Sequence, residues 1–121
     1  MLGWQDFPGA PPLGKVICAV SDIPRGSVLA VLLGEYPVLI LMVGPHIKVF
    51  VNACPHQFLP LNQRSNNILS SDGQRLVCSN HLAEFGSSDG QGITGFGIGS
   101  CLATVPSRQK EGLLIVGDAG T

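Results

Sequence analysis

Charged residues are scarce in this sequence of 121 residues, where they make up only 12% and give a formal net charge of −1. Aromatic residues are also few, at 6%, and they do not alternate with Lys or Arg. Nucleic acids and anionic membrane surfaces are bound mainly through clustered basic residues. We therefore expect neither a nucleic acid nor a membrane surface as the partner.

A long uninterrupted apolar run is missing as well. The longest apolar stretch covers residues 28–43, and it is broken by Gly34, Glu35 and Pro37. A helix that crosses a bilayer needs about 20 mostly apolar residues. The first residues also lack the basic and apolar regions of a signal peptide. The sequence therefore predicts no membrane segment and a cytoplasmic location.

No segment shows helical periodicity over the length of a helix, although residues 60–69 leave room for one or two turns. Short runs rich in β-branched residues are separated instead by many of the 16 Gly and 9 Pro residues. Strands are predicted over residues 15–20, 27–33, 37–43, 47–52, 75–77, 84–85, 102–105 and 112–116. In residues 47–52 the alternation is partial, which predicts one buried face and one partly wet face. The fold class predicted for residues 1–121 is a single all-β domain.

Two short cysteine–histidine pairs carry the chemistry of the sequence. They are Cys54-Pro55-His56 and Cys78-Ser79-Asn80-His81, with 21 residues between the pairs. Two thiolates and two imidazoles are the ligand set of a Rieske [2Fe–2S] centre, in which one iron takes each kind. The same donors also suit a structural Zn²⁺ ion, but this spacing is unlike a zinc finger and a domain of this size does not need zinc to fold.

The other two cysteines stand alone in apolar segments. Cys18 and Cys101 are therefore expected to be small core residues rather than ligands. His46 is the one remaining histidine, beside Gly44 and Pro45, and we expect it to be an exposed turn residue.

The segments around the two pairs resemble the two cluster-binding loops of the Rieske family. Residues 52–61 resemble the first loop, C-x-H with a Leu a few positions later, and residues 78–85, with Gly90 beyond them, resemble the second. The resemblance covers residues 16–117. It implies an antiparallel β-sandwich base with a small cluster-binding subdomain, residues 52–105, inserted into it. It also implies that Cys54 and Cys78 ligate an inner iron, and that His56 and His81 ligate an outer iron near the surface.

The sequence departs from the pattern of the respiratory-complex type of Rieske protein. That type has one additional cysteine in each loop, joined in a disulfide, and a serine after the second histidine. Leu59, Asn80 and Ala83 stand in those places here, and Leu82 replaces a glycine usual in the family. Fewer hydrogen bonds to the cluster predict a low reduction potential. The segment 57–77 is long for the family and predicts an added hairpin or lobe.

These features together predict an electron-transfer protein rather than an enzyme. A Rieske oxygenase needs a second iron held by two histidines and a carboxylate, and only His46 is left for it. We therefore expect a one-electron carrier from a flavin or ferredoxin reductase to a terminal oxygenase or similar enzyme. The alternative is a small Rieske subunit of a multisubunit oxidoreductase such as a nitrite reductase. The docking surface is predicted around the two histidines, with an apolar rim of Gln57, Phe58, Leu59, Leu82 and Ala83.

Overall fold

The computed structural model describes residues 3–55, 59–79, 83–94 and 100–117. These residues form nine short strands and two 3₁₀ turns, at Trp4–Asp6 and Val20–Asp22. The strands, in chain order, are β1 (Val16–Ala19), β2 (Val28–Leu33), β3 (Tyr36–Val43), β4 (His46–Val51), β5 (Arg75–Val77), β6 (Glu84–Gly86), β7 (Gly92–Thr94), β8 (Ser107–Lys110) and β9 (Leu113–Val116).

The strands form three antiparallel sheets of three strands each. The first sheet has the order β1-β9-β8, the central sheet β2-β3-β4 and the third sheet β5-β6-β7. Neighbouring strands of the central sheet are joined by two-residue turns, since Leu33 lies opposite Tyr36 and Val43 lies opposite His46. Two residues are the shortest common connection of a hairpin, which explains why β2, β3 and β4 pair in chain order.

The central sheet packs on both of its faces. Val38 and Ile40 of β3 lie in a base core together with Ile17 and Leu114 of the first sheet. The alternate residues of β3 lie in a second core, called here the loop core, with buried residues of the third sheet; it contains Leu39, Leu41, Phe50, Cys54, Leu61, Ile68, Leu76, Cys78, Ala83, Phe85 and Leu102. The predicted all-β class and its antiparallel sandwich are therefore confirmed.

Strand β4 agrees with its prediction of one buried and one partly wet face, except at its end. Phe50 shares a face with Lys48, which is half-buried, and with His46, which is exposed. Phe50 itself is fully buried in the loop core, whereas Val49 and Val51 on the other face lie in the base core. Both faces are buried at the end of β4 because the chain between β4 and β8 returns to cover Phe50, which the pattern of six residues could not show.

Two strands were missed, and one predicted strand is absent. Strand β8 has the polar sequence Ser-Arg-Gln-Lys and lies at the edge of the first sheet, where polar residues are common and no apolar alternation marks a strand. Strand β7 is only three residues long and begins with a glycine. Residues 102–105 form no strand, although Thr104 makes an isolated bridge to Phe50.

No helix within the described part of the chain is long and apolar enough to cross a membrane.

Candidate metal centre

The two predicted cysteine ligands lie just beyond the ends of two strands. Cys54 follows β4 and is 1% exposed, and Cys78 follows β5 and is fully buried. Each cysteine begins a loop that closes in the same way. The N–H of Cys54 donates to the carbonyl of Leu59 at 2.8 Å, and the N–H of Cys78 donates to the carbonyl of Ala83 at 2.8 Å. Both hydrogen bonds span five residues, so the two loops are closed in the same way.

Both thiols belong to the loop core, where apolar side chains surround them. None of the four cysteines forms a disulfide. Thiolates are the ligands that iron–sulfur clusters use, and an apolar surrounding excludes water from such a site. Two buried cysteines, each at the start of a loop that the same kind of hydrogen bond closes, therefore fit a [2Fe–2S] cluster.

The two predicted histidine ligands, His56 and His81, lie outside the described residues. Their role as ligands stays a prediction. Among the residues that the structure does describe, no three His, Cys, Asp or Glu side chains come together as a metal site. The assignment of two thiolates and two imidazoles as the complete ligand set therefore rests on the sequence pattern.

Backbone amides near the cysteines already have partners. Besides the N–H groups of Cys54 and Cys78, the N–H of Ser79 donates to the carbonyl of Leu61 at 2.8 Å. Hydrogen bonds to the sulfurs raise the reduction potential of an iron–sulfur cluster. Because these three amides donate to carbonyl oxygens, they do not contribute to that effect.

Two polar residues beside the cysteines were not singled out from the sequence. Asn52, two residues before Cys54, is buried, and its Oδ1 accepts the N–H of Leu61 at 2.8 Å. The hydroxyl of Ser79, directly after Cys78, donates to the carbonyl of the same Leu61 at 2.6 Å. The sequence does hold one signal for Asn52, since it is a polar residue that directly follows an apolar strand.

A hairpin precedes the second cysteine loop. Leu69 and Leu76 form a bridge, and the hydroxyl of Ser70 donates to Asp72 at 2.6 Å in the turn between them. This hydrogen bond, and a further one from the backbone N–H of Gln74, lower the pKa of Asp72. The added hairpin predicted within segment 57–77 is thus present.

One ion pair lies on the surface beside this hairpin. Nη1 of Arg75 lies 2.7 Å from Oε1 of Glu84, the residue that follows the second cysteine loop. The hydrogen bond and the charge of Glu84 raise the pKa of Arg75. Exposed ion pairs of this kind contribute little to stability, because water and salt screen the two charges.

Cys18, Cys101 and His46 are all more exposed than Cys54 and Cys78. Cys18 is half-buried and packs against the base core, and burial, followed by the charge of Asp22, raises its pKa. Cys101 is half-buried as well. His46 is exposed, as predicted, but it is the first residue of β4 rather than a turn residue.

The predicted apolar docking rim needs a correction. Ala83 is fully buried in the loop core, so it offers no surface to a partner. Its small side chain instead packs where the second loop returns to β6. Leu59 is half-buried, and Gln57, Phe58 and Leu82 lie outside the described residues.

A cavity of about 420 Å³ lies beside the start of the first cysteine loop. Asp6 and Phe7 from the N-terminal segment, Glu35 from the turn between β2 and β3, and Asn52 and Pro60 are among its lining residues. A smaller cavity of about 220 Å³ shares Asn52 and Pro60 with it.

Comparison with known proteins agrees with this geometry. A family model described as the Rieske [2Fe-2S] domain matches residues 14–105. Among curated protein sequences, none matches the chain.

Three solved structures show the same fold. A chain in the complex of reduced oxygenase and oxidized ferredoxin in carbazole 1,9a-dioxygenase is 22% identical; the match has a TM-score of 0.70 and covers 88% of this chain and 94% of that one. The ferredoxin of carbazole 1,9a-dioxygenase from Nocardioides aromaticivorans IC177 is 12% identical, with a TM-score of 0.71 and coverage of 88% and 99%. The terminal oxygenase of carbazole 1,9a-dioxygenase from Novosphingobium sp. KA1 is 18% identical, with a TM-score of 0.71 and coverage of 86% and 30%.

Proposed function

We propose that this chain, which belongs to the Rieske [2Fe-2S] domain family, is a one-electron carrier between a reductase and a terminal oxygenase or similar enzyme. The cofactor of the family is a [2Fe–2S] cluster. Such a cluster supplies reversible one-electron chemistry when it is bound. The chain itself would hold the cluster, exclude water from it and present it to partners.

The proposed ligands are Cys54 and Cys78 for the inner iron and His56 and His81 for the outer iron. The observation that carries the proposal is the placement of the two thiols. Cys54 and Cys78 are buried in one core, each at the start of a loop closed by a hydrogen bond over five residues. A buried thiol pair of this kind suits an inner iron that is shielded from water.

A structural match over nearly the whole length of a ferredoxin supports an electron carrier. The fold shared with this chain makes up 99% of the Nocardioides ferredoxin but only 30% of the Novosphingobium oxygenase chain. The first of the matched structures is a complex of an oxygenase with a ferredoxin, which supports a terminal oxygenase as the acceptor. A flavin or ferredoxin reductase is the proposed donor.

Three further parts of the proposal concern the chain as a whole. We propose that it is not an enzyme on its own, because His46 is the only histidine left after the proposed ligands. Its proposed location is the cytoplasm. Its proposed organisation is one domain over residues 1–121, in which residues 52–105, containing the third sheet, form the cluster-binding subdomain.

Metal and sulfide analysis together with EPR spectroscopy tests this function. Protein purified without oxygen should contain about two iron and two sulfide ions per chain, with an EPR signal on reduction. The average g value should lie below that of an all-cysteine cluster because of the imidazole ligands. One zinc ion per chain without sulfide would identify a structural zinc module and overturn the proposal.

A second experiment separates a carrier from a subunit of a larger enzyme. Reduced protein should pass its electron to an oxygenase in single-turnover mixing, while native size-exclusion chromatography should show it without a permanent large partner. Transient electron-transfer contacts are small, so the complex should dissociate readily. Co-elution with a large oxidoreductase subunit at every dilution would contradict the carrier.

A further inference from the structure

One buried residue, Leu61, connects the two cysteine loops. Its N–H donates to Oδ1 of Asn52 at 2.8 Å. Its carbonyl accepts two hydrogen bonds from Ser79, one from the N–H at 2.8 Å and one from the hydroxyl at 2.6 Å. Asn52 is two residues from Cys54, and Ser79 is adjacent to Cys78. Hydrogen bonds to the backbone of a single residue therefore join the two thiol-bearing segments.

Both ends of this connection are anchored in turn. The N–H of Asn52 donates to the carbonyl of Pro37 in β3 at 3.0 Å, and its side-chain amide donates to Oδ1 of Asn62 at 2.9 Å. The hydroxyl of Ser79 also accepts the N–H of Arg64 at 3.0 Å. Because each side chain makes at least two hydrogen bonds in defined directions, neither can rotate without losing one.

These hydrogen bonds differ from those of the other polar side chains nearby. The hydroxyl of Ser65 accepts the N–H of Asn67, only two residues away, in an exposed turn. The bond from Ser79 to Leu61 spans 18 residues, and the bond from Leu61 to Asn52 spans nine. The hydrogen bond of Ser65 therefore shapes one turn, whereas the hydrogen bonds of Ser79 and Asn52 to Leu61 hold together segments that lie farther apart in the chain.

We propose that Asn52 and Ser79 are positioning residues that act through Leu61 to set the separation of the Cys54 and Cys78 thiolates. These hydrogen bonds connect the two segments that carry the thiols directly. The inference rests on the proposed function, since it requires that the two thiolates bind a [2Fe–2S] cluster. When the hydrogen bonds to Leu61 are removed, the two loops separate more easily and the protein loses its cluster faster.

The test compares the rate of cluster loss in matched variants. Ser79→Ala and Asn52→Ala each remove a side-chain hydrogen bond to Leu61, whereas Ser65→Ala removes a neighbouring hydroxyl that bonds only to Asn67. The half-life of the visible absorption is measured without oxygen in the presence of an iron chelator. We expect Ser79→Ala and Asn52→Ala to shorten it about fivefold or more, the effect of one ordinary hydrogen bond. The control variant Ser65→Ala should stay within about twofold of the unchanged protein.

EPR spectra and a conservative variant separate positioning from general loss of stability. The reduced Ser79→Ala protein should show broader lines, because the thiolates occupy a wider range of positions. Ser79→Thr keeps a hydroxyl and should restore both the line width and the half-life. If Asn52→Ala does not fold, the pair Ser79→Ala and Ser79→Thr still decides the question.

The double variant tests whether Asn52 and Ser79 both act through Leu61. If they do, Ser79→Ala combined with Asn52→Ala should lose its cluster about as fast as the worse single variant, rather than at the product of the two effects. The inference would be overturned if the acceleration of cluster loss in the double variant equalled the product of the two single effects. It would also be overturned if Ser79→Ala lost its cluster no faster than Ser65→Ala. Absence of a cluster from the unchanged protein would instead overturn the proposed function, so the two failures are distinct.

Discussion

The backbone of Gly90 packs against the ring of Phe50, so that a Cβ on Gly90 would lie 3.0 Å from Cε1 of that ring. It would also lie 3.0 Å from the carbonyl oxygen of Leu102. Gly90 in addition has a φ of +75°, which disfavours any side chain. This contact seats the segment between β6 and β7 on the central sheet, and it explains why a glycine follows the second cysteine loop.

Gly90→Ala should therefore lower the free energy of unfolding by about 2–4 kcal/mol, the sum of the backbone strain and the crowding against Phe50. Gly73→Ala is the matched control, because Gly73 has a φ of +73° but nothing within 4 Å of its Cβ position. The control should lose only about 1 kcal/mol. Chemical denaturation measures both values, and equal losses would show that crowding does not contribute.

Tyr36 should make the stability depend on pH in the alkaline range. Its ring is fully buried in the base core, its hydroxyl donates to the carbonyl of Trp4 at 2.6 Å, and burial raises its pKa from 10.0 to about 12. Because the folded state holds the proton more tightly than the unfolded state, the stabilisation is complete below pH 10 and is lost as the pH rises toward 12.

Tyr36→Phe isolates this effect from the titration of lysines. At neutral pH the variant should be less stable by about 1 kcal/mol, the value of the lost hydrogen bond. Above pH 10 the difference from the unchanged protein should shrink. Thermal unfolding at a series of pH values measures the difference, and a constant gap across the series would contradict the raised pKa. Tyr36 is the only tyrosine of the chain, so its phenolate absorbance gives the pKa directly.

The two buried thiols and the two half-buried ones should differ in their effect on the cluster. Cys54→Ser or Cys78→Ser should abolish or alter it, while circular dichroism still shows β structure. Cys18→Ser is the matched control, because Cys18 belongs to the periphery of the base core and not to the loop core. Its iron content should equal that of the unchanged protein. Loss of the cluster in Cys18→Ser, or its retention unchanged in Cys54→Ser, would disprove the assignment.

The histidine ligands can be tested in the same way. His56→Ala and His81→Ala should each reduce the iron content or change the EPR spectrum, because a Rieske cluster needs an imidazole at both positions. His46→Ala is the control, since His46 is exposed at the start of β4. A spectrum that changes in His46→Ala and not in His81→Ala would require a different ligand set.

The reduction potential should lie toward the low end of the range of Rieske centres, roughly −150 to +300 mV. Leu59 stands where the disulfide-bearing relatives have a cysteine, and the amides of Cys54, Cys78 and Ser79 donate to carbonyls. The backbone N–H groups of Cys54, Cys78 and Ser79 are therefore not available to donate to the cluster sulfurs. Redox titration followed by EPR measures the midpoint, and a value well above about +100 mV would show that other groups supply those hydrogen bonds.

Much of the fold could be predicted because local chemistry marks it. Strand β5 was predicted with its observed bounds, and the bounds of β2, β3, β4 and β9 were predicted to within one residue at each end. These strands are short, rich in apolar residues and bounded by Gly, Pro or polar turns, so neighbouring residues carry the signal. Strand β8 carries no such signal, because its polar residues are stabilised by pairing with β9 rather than by burial.

In the candidate metal centre, too, features that depend on neighbouring residues could be predicted from the sequence, whereas features that depend on distant residues could not. The spacing of cysteine and histidine within each loop is a local property, so the four ligands could be proposed from the sequence alone, and they stay a prediction. The hairpin before Cys78 was also predicted from local turn residues. Tertiary structure decided what lies around the cysteines. It buried Ala83 instead of exposing it, covered both faces of β4 at its end, and brought Asn52 and Ser79 to the backbone of the same residue, Leu61. Those outcomes depend on contacts between segments far apart in the chain, and such contacts form only when the sheets pack together.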